Sequence, residues 1–240
     1  MLPWYLGKRP LIGGQRIKLL LANVNHRNPD YARLLVAVQK YSPDLVIAQE
    51  TTAAWCVALQ PLRASHPFHE VLPRAAGSGM ALYSRYAFER VPIAFPEGDT
   101  RPSLLVKLSL AEAPVWLLSL HPRAPIQRGH FELRNDLLTA AAHELAQRQG
   151  AKICTGDFNI TPWSAYYQRF VAQTQLNDVR KGFGLLSSWP YIGLGSWLMI
   201  PLDHCLVSDD IRVVSVTTGE TIGSDHLPLL VELEVSALRR

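Results

Sequence analysis

Six short runs in this chain put carboxylates, amides and imidazoles where an apolar segment ends. They are Asn23-Val24-Asn25, Gln49-Glu50, Leu120-His121, Gly156-Asp157-Phe158-Asn159, Leu202-Asp203-His204 and Ser224-Asp225-His226. Taken singly, each polar residue reads as a turn former, a cap or a hydrogen-bonded core group. Six of them, each closing an apolar run, point to a shared site, because the carboxyl ends of strands in α/β sheets hold side chains firmly while facing a crevice. Oxygen donors from Glu, Asp and Asn suit a hard divalent ion such as Mg²⁺ (or Mn²⁺). Zinc is disfavoured, since no Cys-x-x-Cys or His-x-x-x-His spacing occurs. Hydrolysis of a phosphate ester requires charge neutralisation on the phosphoryl oxygens, an in-line water and stabilisation of the leaving oxygen. A carboxylate-held cation, two histidines and amide side chains would supply all three.

Apolar periodicity predicts the elements that carry these runs. Ala151 to Thr155 reads as a buried strand stopping at Gly156, and Thr161-Pro162 as the cap and first residue of a helix reaching Gln175. Upstream, Ile17 to Val24 is a strand, and Asn28-Pro29 opens a helix whose Tyr31, Leu34, Leu35 and Val38 share one face, ending near Tyr41-Ser42-Pro43. Asp44 to Glu50 is the next strand, and residues 51–64 form a helix broken around Pro61. Strands are predicted at Met80 to Ser84 and Arg90 to Phe95, with a hairpin of Ser103 to Leu110 and Val115 to Leu120. A long helix covers 127–149, closed by Gly150. Asn177 to Ile200 reads as a loop facing substrate, followed by strands Leu202 to Ser208, Ile211 to Val216 and Leu227 to Val235. Helices mixed with hairpins suit two mixed sheets with helices outside.

At 240 residues, 48% hydrophobic and 18% charged, the chain has the balance of an ordinary globular protein, with no internal linker or repeat. Its division is a short N-terminal arm, 1–16, and one catalytic domain, 17–240. A net charge of +4 and a pI near 9.0 favour an anionic partner: a phosphate ester, nucleic acid or acidic lipid headgroup. The cations are dispersed, which argues against a dedicated duplex-DNA enzyme. Cys56, Cys154 and Cys205 sit in apolar contexts and read as buried thiols. No apolar run is long enough to span a bilayer, so a soluble domain is expected. Trp4-Tyr5 ahead of Lys8-Arg9 reads either as a leader arm or as the stump of a membrane anchor upstream of residue 1. The first places the domain in the cytoplasm and the second outside it, and no obligate protein partner is evident.

Taken in order, the six runs resemble the motifs of the endonuclease/exonuclease/phosphatase superfamily, which includes pancreatic-type deoxyribonucleases, abasic-site endonucleases, neutral sphingomyelinases and inositol-polyphosphate phosphatases. The resemblance spans residues 17 to 235 and is closest to compact bacterial members. It implies a four-layer α/β sandwich, two mixed β-sheets packed face to face with helices outside. It also implies a divalent-metal-dependent phosphodiesterase or nuclease in which water attacks phosphorus directly. Glu50 would be the principal metal ligand, aided by Asn23 and Asp225. Asp157 would orient or deprotonate the water, Asn159 would hold the scissile phosphate, and His226 paired with Asp203 would contact the phosphate as base or electrostatic partner. His121 matches a histidine proposed as an acid in the pancreatic-type enzymes, with phosphate binding as its alternative role. Asn25 stands where abasic-site enzymes often carry an acid, which makes it a substrate-binding candidate and leaves a second metal less well supplied. The carboxylate that orients the acid histidine would lie near Arg101-Pro102-Ser103, where this sequence has none.

The alternatives are a lipid or inositol phosphate phosphodiesterase or phosphatase at a membrane surface, and a non-catalytic binding module of the same fold. The second predicts a missing ligand or catalytic pair, yet Glu50, Asp157, Asn159, Asp203, Asp225 and His226 are all present. His66, His69, His130 and His143 read as surface or capping residues, His204 as structural on the opposite strand face, and Arg134 as solvated or salt-bridged. Trp189 and Trp197 could stack on a base or enter a lipid surface, with simple packing the plainer reading.

Overall fold

Polar ends and apolar runs become strands and crossovers in the computed structural model, which describes residues 14–93, 101–110, 113–191 and 198–235. The strands are β1 (Gln15–Asn23), β2 (Leu45–Gln49), β3 (Phe68–Leu72), β4 (Met80–Ser84), β5 (Phe88–Val91) and β6 (Leu104–Leu110). They continue with β7 (Ala113–Ser119), β8 (Ala151–Asp157), β9 (Asn177–Asp178), β10 (Asp203–Val207), β11 (Ile211–Thr218) and β12 (Leu229–Val235). The α-helices are α1 (Tyr31–Tyr41), α2 (Ala53–Ala58), α3 (His130–Ala146) and α4 (Ala165–Thr174).

One sheet runs β11-β12-β1-β2-β4-β3 and the other β5-β6-β7-β8-β10-β9. Each holds one parallel pair, β1 with β2 and β7 with β8, among antiparallel neighbours. Parallel strands need a crossover, and α1 and α3 supply it. Asn23 and Gln49 therefore end adjacent strands pointing one way, and Ser119 and Asp157 do the same in the second sheet.

Alternation within strands builds three cores. Ile17, Leu19, Leu21 and Ile47 meet Val106, Leu117, Ile153 and Cys205 between the sheets. The intervening residues Leu20, Ala22, Val46 and Ala48 pack outward on Leu34, Val38 and Trp55 of α1 and α2. In the second sheet Leu118, Cys154 and Leu206 pack on Leu138, Leu145, Tyr167 and Phe170 of α3 and α4. The result is the expected four-layer α/β sandwich: helices, mixed sheet, mixed sheet, helices.

Several boundaries differ from the sequence reading. Strand β8 runs through Gly156 to Asp157, because β10 pairs with it as far as Asp203 opposite Asp157. Gly156 has φ of 149°, and a Cβ there would lie 1.8 Å from the Leu120 carbonyl oxygen at the end of the neighbouring strand and 2.7 Å from Gln49 Nε2 of the other sheet, so only glycine fits here. Helix α4 starts at Ala165, not Pro162, because Ser164 is the cap and its hydroxyl accepts from the Tyr166 amide. The cap of α1 is Asp30, two residues after Asn28. The 51–64 segment splits into α2 and a 3₁₀ turn, Gln60–Ala64, with Pro61 in its first turn. Strand β3 carries no clean alternation and was not expected. His66 is buried, its Nε2 bonded to the Pro43 carbonyl, and Cys56 is only half-buried. Trp197, the end of the Arg90 to Phe95 strand, and most of the N-terminal arm lie outside the described residues.

Candidate active site

The polar strand ends of both sheets converge on one edge, where they line a cavity of about 740 Å³. Backbone geometry marks the same place. Asn25, Glu50 and Asn159 have φ of 53°, 67° and 50°, a left-handed region that non-glycine residues seldom occupy outside turns and functional sites. Each follows a strand; Glu50 and Asn159 line the cavity, and Asn25 reaches Asp225 at its rim.

Gln49 locks the two sheets together there. Its Nε2 donates to the Leu120 carbonyl at 2.8 Å, and its Oε1 accepts from the Asp157 amide at 2.8 Å. Asp157 thus takes its position from a residue in the other sheet. Asn23 reinforces the link, its Nδ2 lying 3.2 Å from Glu50 Oε1 and 3.1 Å from Asp157 Oδ2.

Glu50 is held on its second oxygen by His26, whose backbone amide donates at 3.1 Å and whose Nδ1 lies at 2.8 Å. Burial works against its charge, but His121, the His26 contacts and Asn23 outweigh it, so its pKa is lowered and it stays ionised. Asp225 receives Asn25 Nδ2 at 2.8 Å on one oxygen and Trp189 Nε1 at 2.9 Å on the other. Trp189 is therefore a site residue, with more than a packing role.

Around Asp157 stand two imidazoles. Nε2 of His121 and Nε2 of His226 each lie 3.7 Å from Asp157 Oδ2, and the Asn159 amide donates to Oδ1 at 2.9 Å. Burial pushes Asp157 up to about 7, with Asp203 adding to the rise and His226 opposing it. Burial alone would lower His226, but Asp203 and Asp157 prevail and bring it to about 10. Its Nδ1 bonds Asp203 Oδ2 at 2.8 Å, which leaves Nε2 toward Asp157. His121 is pushed down to about 3, by burial and then by Arg101, whose Nη1 lies 3.4 Å from its Nε2. A cation thus occupies the neighbourhood where a carboxylate would have raised this histidine.

Asn159 sits against the cavity with Nδ2 donating to the Pro122 carbonyl at 3.0 Å, which leaves its second amide hydrogen available. The structure brings Asn23, Asn25, Glu50, His121, Asp157, Asn159, Asp203, Asp225 and His226 to one edge. His204 faces away, as expected for the next residue on a strand. It joins a buried network in which Arg180 pairs with Asp178 and His204 Nε2 bonds the Ile160 carbonyl at 2.7 Å, supporting the segment after Asn159 from behind.

The donor set fits a divalent cation in one respect: the amide of Asn23 fills a point between two carboxylates, where positive charge is favoured. Among the described residues, no three His, Cys, Asp or Glu side chains form a ready cage. Mg²⁺ does not need one, since it keeps several waters and takes one or two carboxylates.

The chain matches the endonuclease/exonuclease/phosphatase family over residues 20–226. It belongs to that family. Membership supports hydrolysis of phosphate esters. No curated protein matches the chain significantly. Among solved structures, a humanised D. rerio TDP2 is 15% identical, covering 92% of this chain and 99% of its own with a TM-score of 0.74. D. rerio TDP2 complexed with a single-strand DNA product is 16% identical, over 92% and 100% of the two chains, with a TM-score of 0.73. A family protein from Bacteroides thetaiotaomicron is 17% identical over 94% and 100%, with a TM-score of 0.71. These likenesses establish the fold. No helix among the described residues is long and apolar enough to cross a membrane.

Proposed function

We propose that this family member is a phosphodiesterase, nuclease-like in its chemistry, that uses Mg²⁺ or Mn²⁺ and attacks phosphorus directly with water. The observation that carries the reading is the placement of one buried carboxylate, Asp157, 3.7 Å from each of two imidazoles and bonded to Asn23 and Asn159. A carboxylate with a pKa of about 7 is matched to taking a proton from water near neutral pH.

Glu50, with Asn23 and Asp225, would hold the cation, which when bound supplies charge neutralisation at the phosphoryl oxygens. Asp157 orients the water and accepts its proton. His226, kept cationic by Asp203, presents Nε2–H to the phosphate and steadies the charge that grows there. Asn159 and Asn25 offer amide donors to non-bridging oxygens. His121, neutral at working pH, suits phosphate binding better than acid catalysis.

A lipid or inositol phosphate ester is the second reading, favoured by apolar side chains at the cavity. Ile126 and Phe131 line it and are 83% and 41% exposed. Hydrolysis of bis-p-nitrophenyl phosphate, p-nitrophenyl phosphate, plasmid DNA and sphingomyelin, each with Mg²⁺, Mn²⁺ or EDTA, separates these readings. Metal-dependent turnover is expected on at least one substrate, and none on any would overturn the enzyme reading.

A further inference from the structure

Two arginines are buried among the described residues, and they are treated differently. Arg180, 0% exposed, lies on the Asp178 carboxylate with contacts of 2.7 and 3.0 Å, the arrangement that makes a buried cation tolerable. Arg134, 5% exposed on α3, meets no carboxylate among the described residues. Its Nη1 donates to the Asn159 carbonyl at 3.1 Å, its Nε and Nη2 donate to Asn135 Oδ1 at 3.2 and 3.1 Å, and its guanidinium lies over the Phe131 ring at 4.8 Å. Neutral partners fix the plane of the group but leave its charge uncompensated, and two of its five N–H donors meet no acceptor among the described residues. Arg134 lines the same cavity as Asp157, Asn159 and His226.

A buried cation without a counter-ion is costly, and the cost is recovered when an anion arrives. The scissile phosphate already has His226, Asn159 and the cation site facing it. We propose that Arg134 binds a second anionic group of the substrate, beside the scissile phosphate, and so makes the enzyme selective for phosphate esters that carry another phosphate. This rests on the hydrolytic reading above and adds to it a specificity residue. Phe131 holds the guanidinium flat and Asn135 holds its far edge, so the fork is preorganised for a planar, bidentate contact. The second phosphate could belong to a nucleotide chain or to a phosphorylated lipid headgroup; the chemistry recognised is the same.

The test compares substrates that differ only in that group: thymidine 5′-(p-nitrophenyl phosphate) with and without a 3′-phosphate, and glycerophosphoinositol with and without a 4-phosphate. Each is assayed with Mn²⁺ on the parent, Arg134→Gln and Arg134→Lys. The parent is expected to prefer the phosphorylated member of at least one pair by about 10- to 100-fold in kcat/KM, the range of a charge-assisted contact. Which pair shows it identifies the source. Arg134→Gln brings that ratio near one, and Arg134→Lys retains part of it. Any loss transmitted through Asn159 affects both members equally and cancels in the ratio. Turnover of both members at equal efficiency by the parent would overturn the proposal, as would a parental preference undiminished in Arg134→Gln. Absence of all turnover in the parent would instead overturn the hydrolytic reading.

Discussion

His226 Nδ1 lies 2.8 Å from Asp203 Oδ2, and this contact leaves Nε2 turned toward Asp157. Asp203 sits on β10 directly opposite Asp157 on β8, so the pair that orients the imidazole and the carboxylate that faces it are set by one antiparallel register. Neither needs a flexible loop to find the other.

Asp203→Asn removes the charge that keeps His226 cationic while leaving its shape. We expect kcat on bis-p-nitrophenyl phosphate to fall by about 10²- to 10⁴-fold with little change in KM. A parental kcat would show that the pair is structural.

The pH dependence follows from the same groups. Asp157, at about 7, must be deprotonated to accept a proton, so activity rises with pH; a bound cation lowers that value, and the rise is complete by about pH 7. Activity falls again as His226 loses its proton near 10. A steady-state profile of kcat/KM from pH 5 to 10.5 with Mn²⁺ checks both limbs, and a monotonic rise through pH 10 contradicts the role of His226.

His26 was passed over in the sequence although it lies in the polar run after β1. It holds one Glu50 oxygen through two contacts, its backbone amide and Nδ1. His26→Ala removes only the imidazole one. We expect it to weaken Mn²⁺ binding by about 10- to 100-fold, the usual effect of losing a partner behind a metal ligand, as read by titration calorimetry. Unchanged affinity would show that the His26 imidazole does not support the metal site.

Acid stability has a definite sign. His121 and His204 are buried and held down to about 3, whereas in the unfolded chain they bind protons near 6.5. The unfolded state therefore takes up more protons as pH falls from 6.5 to 3, and stability is lost across that window. Asp178, held near 2 against burial by Arg180, adds a further loss below about 4. His226 and Asp157 act in the opposite direction: the His226 contribution is full below 6.5 and lost toward 10, and Asp157, raised to about 7, stabilises as pH falls and offsets one of the two histidines. Urea midpoints measured from pH 8 to 4 should drop steadily below 6.5, and a flat series to pH 4.5 would contradict the buried neutral state of both histidines.

The layer order and the gathering of nine polar residues at one edge were legible because buried strands write themselves as apolar runs and polar residues interrupt them only where the chain emerges. Gly156 misled for the same reason: a glycine inside a strand looks like its end until the Leu120 carbonyl beside it is known. Tertiary partners are what the sequence conceals. Gln49 reads as a strand-end amide, but its work is to bridge two sheets through Leu120 and Asp157. Trp189 reads as packing, and only the fold places its N–H on Asp225. Arg134 reads as solvated, because nothing along α3 shows that the Asn159 carbonyl, from the segment after β8, lies against it.

In the proposed reaction Asp157 acts on the attacking water. This role is tested most directly by Asp157→Asn, with bis-p-nitrophenyl phosphate turnover and Mn²⁺ affinity measured on the same preparation. Asparagine keeps the backbone contact to Gln49, but its single oxygen can accept from only one of Asn23 and Asn159, and it cannot accept the proton. The expected result is a loss in kcat of about 10³-fold with Mn²⁺ affinity changed only a few-fold. A kcat within a few-fold of the parent's would contradict it.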